Sequence, residues 1–251
     1  MTWFPEAWEA QPNTLTGKTI LVTGAGDGIG RAAASAFASC GAEVLLLGRS
    51  EEKLNAVYDT IVAAGGATPA IIPFDLEQAE VAQYAALAEQ LEATFPQLDG
   101  LLHNAALLGD RKSMAQTSPS EWSRVMQVNA HAPFLLTQQC LPLLQRAAHA
   151  SVVFTSSSVG RQGRAFWGAY AVSKFATEGM MQVLHDEMHA TSSIRFNSLN
   201  PGATNTAMRR MAYPAERPDS NPAPETLMPR WVYLMSDDST HLSGQSLNAQ
   251  K

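Results

Sequence analysis

The chain has 251 residues, 45% of them hydrophobic, and a formal net charge of -6 at pH 7. That length suits one large α/β domain or two small ones, with enough apolar side chains for a sizeable core. The acidic balance argues against nucleic acid as a partner, because phosphate binding needs a basic face. No apolar run approaches the ~20 residues of a membrane span.

Residues 1–16 read as an arm ahead of the domain. Met1 to Gln11 holds Glu6 and Glu9, no basic residue and no apolar h-region, so it is neither a signal nor a transit peptide. Its Trp3, Phe4 and Trp8 suggest packing on the domain or on a neighbouring subunit. Thr19 to Thr23 predicts a buried strand, followed by the glycine turn Gly24 to Gly30 and an Ala-rich helix from Arg31 to Cys40. Ala42 to Leu47 is the second strand, and Ser50 can cap the next helix, with Glu51 and Glu52 in its first turn. Ala70 to Phe74 is the third strand, Ala79 to Phe95 a helix, and Leu101 to Asn104 the fourth strand. Ser118, Pro119 and Glu121 form a capping box opening a long helix to about Arg146, which Pro133 and Pro142 should bend. Val152 to Thr155 is the fifth strand, and the next helix carries Tyr170 and runs to about His189. Ile194 to Leu199 is the sixth strand. Arg209 to Pro224 holds four prolines and reads as a loop ordered on demand, with 207–224 taken as the substrate loop. A last helix, about Glu225 to Met235, should be kinked or delayed by Pro229, and Gln245 to Asn248 is the final strand.

Strands alternate with helices throughout. This predicts one α/β domain over 17–251: a Rossmann-like, doubly wound parallel sheet of about seven strands with helices on both faces. Ligands in such sheets bind at the carboxyl ends of the strands. Gly24, Arg49, Asp75, Asn104, Ser157 and Pro201 all follow or end predicted strands, so they converge on one edge.

Tyr170 and Lys174 lie four apart, one above the other on a helix face. An ammonium nearby favours the phenolate, so the pair can exchange a proton near neutral pH. A surface helix can carry the same pair by chance. Thr23 with Gly24, Gly28 and Gly30 gives TGxxxGxG rather than GxGxxG, since Ile29 stands where the third glycine of the latter belongs. Small residues there let the backbone approach a pyrophosphate at a helix N-terminus.

These motifs resemble the short-chain dehydrogenase/reductases over about residues 17 to 249, in the branch with TGxxxGxG and YxxxK. The run from Phe154 to Arg164 and the length resemble the YciK-type bacterial oxidoreductases within it. The resemblance implies a cofactor turn at Gly24, Gly26, Asp27, Gly28, Ile29 and Gly30, and an adenine position at Asp75 and Leu76. It implies further cofactor contacts from Asn104, Ala105, Ala106, Tyr170 and Lys174. Pro201, Gly202, Thr204 and Thr206 would form the nicotinamide side. His103 and Ala106 depart from the family's NNAG. The Ala106 methyl stands where a glycine would let the cofactor sit close. The implied tetrad is Asn129, Ser157, Tyr170 and Lys174. Ser157 lies thirteen residues before Tyr170, and strand alternation puts Ser156 and Ser158 on the opposite face.

NAD binders usually end the second strand with an acid that holds the ribose. Gly48-Arg49 occupies that corner, and a guanidinium can bind a 2′-phosphate, so NADP(H) is expected over NAD(H). Asp27 is a counter-signal. The expected reaction is hydride transfer between the nicotinamide and a carbonyl or secondary alcohol. Tyr170 is the general acid/base, Ser157 polarises the carbonyl and Lys174 lowers the Tyr170 pKa, and the resemblance implies that Asn129 holds a water. Arg161 and Arg164 could bind an acidic substrate, though structural ion pairs are commoner. His185 and His189 lack the Glu of HExxH, and no metal is expected. Cys40 and Cys140 read as reduced thiols of a cytoplasmic protein. Apolar residues on more than one side of the Tyr170 helix, as in relatives, point to a homodimer or homotetramer. The alternative function is an NADP(H)-binding regulator that has lost catalysis. An epimerase or dehydratase would call for a longer chain and TGxxGxxG.

Overall fold

The computed structural model describes residues 3–250. Seven strands form one parallel sheet: β1 (Thr19–Thr23), β2 (Glu43–Gly48), β3 (Ala70–Pro73), β4 (Gly100–His103), β5 (Ser151–Thr155), β6 (Arg195–Asn200) and β7 (Gln245–Asn248). Their order is β3-β2-β1-β4-β5-β6-β7. Val22 of β1 sits opposite Leu46 on one side and Leu102 on the other. The chain reverses direction across the sheet between β1 and β4, and a crevice opens outside the carboxyl ends of those strands.

Alternation along each strand divides the core in two. Ile20, Val22, Val44 and Leu46 pack with Phe37, Leu54 and Trp231. These come from α1 (Gly28–Ser39), α2 (Glu51–Ala63) and α8 (Met228–Met235). Leu21, Leu45 and Leu47 pack with Tyr84, Leu136, Leu144 and Met181, from α3 (Val81–Thr94), α5 (Ala132–Arg146) and α6 (Gly168–Met188). Each such side chain contributes about 1.5–3 kcal/mol by leaving water. The arm packs on its own domain: Phe4 and Trp8 meet the Tyr233 ring edge-on at 5.5 and 5.1 Å, and Trp3 Nε1 donates to the Asn248 carbonyl at 2.8 Å.

Three expectations need correction, and the alternative left open at Pro229 is decided. The helix expected from Pro119 to Arg146 is α4 (Pro119–Met126), a π-helical turn (Gln127–His131), then α5. Pro133 has no N–H for the Asn129 carbonyl four residues back, so the regular ladder fails there, and Thr177 Oγ1, which lies 3.0 Å from the Ser173 carbonyl, also approaches the Asn129 carbonyl at 3.3 Å. Ser118 caps α4 as expected. The Glu121 carboxylate, however, turns away from the cap to the Asp110 N–H and the Lys112 ammonium. The expected loop after Thr206 is partly helical. Thr206 Oγ1 caps α7 (Ala207–Ala212) by accepting from Arg209 N–H at 3.1 Å, and Glu216 ties the following turn to Arg209 and Asn221. Pro229 delays α8 rather than kinking it: a 3₁₀ turn at Pro224–Leu227 comes first, and Pro229 sits in the first turn of α8.

Candidate active site

The strand ends open into a cavity of about 670 Å³, within the range of small-molecule sites. Every residue expected at the site lines it except Gly30 and Asn129. Gly30 packs behind the turn against the Gly24 carbonyl. Asn129 is buried in the π-helical turn. Its Oδ1 accepts from Leu107 N–H at 2.7 Å, and its Nδ2 donates to the Leu107 carbonyl at 2.8 Å and to Ser173 Oγ at 3.0 Å. The amide is therefore occupied in joining the loop after β4 to α6.

Tyr170 and Lys174 stand one turn apart on α6, and Ser157 follows β5. The 3₁₀ turn at Ser158–Gly160 closes tightly on α6: a Cβ on Gly160 would stand 2.7 Å from the Lys174 Cβ, so only glycine brings Ser157 this near the helix. Burial pushes the Tyr170 phenol up to about 12, with a hydrogen bond from Ser157 acting against it. The expectation that Lys174 lowers this pKa does not describe the geometry. The ammonium lies 5.7 Å from the Tyr170 ring centroid and donates to the Thr155 carbonyl at 2.6 Å. Desolvation dominates, and it keeps the phenol protonated. Burial also brings Lys174 down to about 8, opposed by the Glu178 charge.

Glu178 lies one turn beyond Lys174, its side chain only 7% exposed. Oε1 accepts from Ser156 Oγ and Arg161 Nε, and Oε2 accepts from Ser198 Oγ at 2.7 Å and Ser246 Oγ at 2.6 Å. Burial works against this charge, but the four donors outweigh it, and the carboxyl sits below the usual range. Ser156 also lines the cavity, but its hydroxyl is spent on Glu178, whereas Ser157 hydrogen-bonds Tyr170. Arg161 is structural too, since it also donates to the Leu247 carbonyl and Asn248 Oδ1.

At the other end, Asp27 Oδ1 caps α1 by accepting from Gly28 N–H at 2.8 Å. Its Oδ2 pairs with Lys53 Nζ at 2.6 Å. The hydrogen bond from Lys53 holds the Asp27 carboxyl below the usual range. Arg49 is 65% exposed and 3.9 Å from Glu77, whose carboxylate is mainly engaged by Arg124 at 2.7 Å. Gly28 has φ +52, and a Cβ there would point across the cleft at the Thr206 methyl, 3.5 Å away. The bare turn, the cations Arg49 and Lys53 and a buried, unpartnered Thr155 hydroxyl together fit a phosphate-bearing dinucleotide.

Lys53, Thr155 and Glu178 were missed by sequence reasoning. Lys53 follows the cap Ser50 by three residues, so the turn after β2 presents it beside Arg49; that spacing was the available signal. Glu178 carries none, because its partners come from three strand regions. His103 is buried, hydrogen-bonded to Thr137 at 2.8 Å and stacked on Phe154. Burial, with the Lys174 charge, drops its imidazole to about 3. Among the described residues no cluster of three metal-ligating side chains occurs, and no helix is long and apolar enough to cross a membrane.

The family model of the short chain dehydrogenases matches residues 18–217. The chain belongs to that family. This short chain dehydrogenase is 50% identical over 243 residues to the uncharacterized oxidoreductase YciK of Escherichia coli, covering 97% of this chain and 96% of that one. Among solved structures, a putative short chain dehydrogenase from Pseudomonas syringae shares 54% identity at a TM-score of 0.93, covering 97% and 99% of the two chains. Another from Shigella flexneri, solved in complex with NADP, shares 50% identity at a TM-score of 0.93, covering 96% and 100%. The Rossmann-like fold and the oxidoreductase class follow from that membership.

Proposed function

We propose that the protein is an NADP(H)-dependent oxidoreductase interconverting a carbonyl and a secondary alcohol, with Tyr170 as the proton-transferring group. The observation that carries this reading is the convergence of Ser157, Tyr170 and Lys174 on one cavity that ends in the glycine turn. The nicotinamide supplies or accepts the hydride. Tyr170, kept protonated by burial, donates its O–H to the substrate oxygen as charge develops there. The Ser157 hydroxyl hydrogen-bonds and polarises the same oxygen. Lys174 holds its ammonium beside the pair, and Asn129 fixes the loop at Leu107 against α6. Gly24, Gly26, Gly28 and Ile29 would take the pyrophosphate at the start of α1, and Asp75 and Leu76 the adenine. Asn104, Ala105 and Ala106 would lie along the middle, with Pro201, Gly202, Thr204 and Thr206 on the nicotinamide side. Arg49 and Lys53 would hold a 2′-phosphate, and the NADP complex of the Shigella relative supports that preference.

Exposed Phe134, Val172, Phe175 and Val183 on α5 and α6 support a homodimer or homotetramer through these helices. Buried, unpaired Cys40 and Cys140 are in keeping with the cytoplasm. The deciding experiment is NADPH consumption over a panel of carbonyl compounds, with Tyr170→Phe as control. Tyr170→Phe abolishes turnover while NADPH still binds; retained turnover refutes the proton-transfer role. A panel without any Tyr170-dependent turnover moves the assignment to a nucleotide-binding regulator.

A further inference from the structure

Beyond Tyr170 the cavity changes character. Its walls there are Leu107, Leu108, Trp167, Met208, Met211 and Ala212. Leu108 and Ala212 share a buried apolar cluster with Tyr170, and Trp167, Met208 and Tyr213 pack against it. An aromatic face and flexible thioethers accept flat or branched apolar groups of varied shape.

Two cations that touch this wall, Arg209 and Arg111, are held by the protein, while Arg164 and Arg210 are exposed to solvent. Arg209 lines the cavity but binds both oxygens of Glu216, at 2.6 and 2.7 Å, and its guanidinium lies over the Tyr213 ring at 3.9 Å. Arg111 stands behind the wall. Its guanidinium lies 4.6 Å from the Trp167 ring centroid and 4.8 Å from that of Tyr213, and Nη1 donates to the Ala212 carbonyl at 2.6 Å. One side chain thereby ties together the loop after β4, the segment before α6 and the end of α7. Arg161 is held by Glu178. A carboxylate or phosphate carried into this end would lie against apolar walls with no free cation among the wall residues to pair with it, which is disfavoured.

We propose that the substrate is an uncharged, apolar ketone or secondary alcohol, bearing an aromatic or branched aliphatic group beside the reacting carbon, and that Arg111 is the positioning residue that builds this specificity by fixing Trp167 and Tyr213. This rests on the carbonyl–alcohol reading above and deepens it.

Matched probes test it: acetophenone against 4-acetylbenzoate, and cyclohexanone against 4-oxocyclohexanecarboxylate. Each is followed on the full chain by NADPH oxidation and, separately, by calorimetric binding with NADP+ present. The neutral members should exceed their carboxylates by about 100-fold in kcat/KM and bind with a Kd about 100-fold lower, the penalty of an unpaired charge against apolar walls. Arg111→Met should raise the acetophenone KM about tenfold through loss of the cation–π contacts and the Ala212 bond, leaving kcat and NADPH affinity within about twofold. Arg111→Lys should not restore the KM, since an ammonium lacks the flat face. Carboxylates handled as well as the neutral compounds, or no binding of any of the four by protein that still binds NADPH, overturns the substrate class. An unchanged KM in Arg111→Met overturns the role of Arg111. Neutral ketones bound with the stated preference but not reduced would sink the oxidoreductase reading and leave this inference standing. Tyr170-dependent reduction of the carboxylates alone would do the reverse.

Discussion

Replacing Glu178 with glutamine keeps the shape of the side chain and removes its charge. The carboxylate accepts four hydrogen bonds, two at each oxygen. An amide has one acceptor oxygen, so one pair of donors loses its partner, and Arg161 loses its counter-charge. Hydrogen bonds to a charged group contribute roughly 1.5–3 kcal/mol each, and the serine hydroxyls can turn to accept from the new NH₂, so a net loss of about 3 kcal/mol is expected. For a domain of this size that lowers Tm by about 6–12 °C. Thermal unfolding of both proteins without cofactor, from pH 7.5 into acid well below the ordinary carboxyl value of 4.5, reads it. The folded carboxyl lies below its ordinary value of 4.5, so its contribution is complete above that value and fades as pH falls through the lower folded value. The gap in Tm should therefore be full at neutral pH and close in acid. A gap below about 2 °C at neutral pH, or one equally wide in acid, refutes the reasoning.

Three more tests address the reaction. Lys174 titrates near 8 because burial outweighs the Glu178 charge, so the reductive rate at saturating NADPH should fall as pH rises through that value; Glu178→Gln should move this limb to lower pH, and a rate flat to pH 10 counts against it. Arg49→Glu should weaken NADPH binding by about ten- to a hundredfold while touching NADH far less, as read by fluorescence titration; equal losses for both would remove the 2′-phosphate role. Ala106→Gly should leave NADPH affinity unchanged or tighter, since among the described non-glycine residues only Phe166 has a positive φ and the backbone at 106 asks nothing special of its residue. A marked loss would show the methyl to be part of the fit.

The sheet was legible mainly because the strands from β1 to β5 are short runs rich in β-branched or apolar residues, and several strands meet a hard stop. TILVT meets Gly24, and the run of β6 meets Pro201 and Gly202. Motif spacing brought Ser157, Tyr170 and Lys174 together for the same reason: each hangs on an element whose period is fixed. What sequence did not yield depends on partners distant along the chain. Pro133 was seen as a bend, but the consequence for the Asn129 carbonyl needs Thr177 from another helix. Four prolines suggested an irregular segment, yet the Thr206 cap and the Arg209–Glu216 pair organise it. The sign of the Tyr170 shift depends on burial, which no pair spacing reports.

The docked arm has a consequence for how the chain is completed. Trp3 reaches the carbonyl of Asn248 across 245 residues, and Trp8 Nε1 reaches Asp238 across 230. The ribosome makes these tryptophans before their docking surface. During synthesis the arm has nowhere to bind, and its apolar rings stay in water until Tyr233 and the edge strand emerge and fold. Closing so large a loop late makes the arm a seal on the finished molecule rather than part of its nucleus.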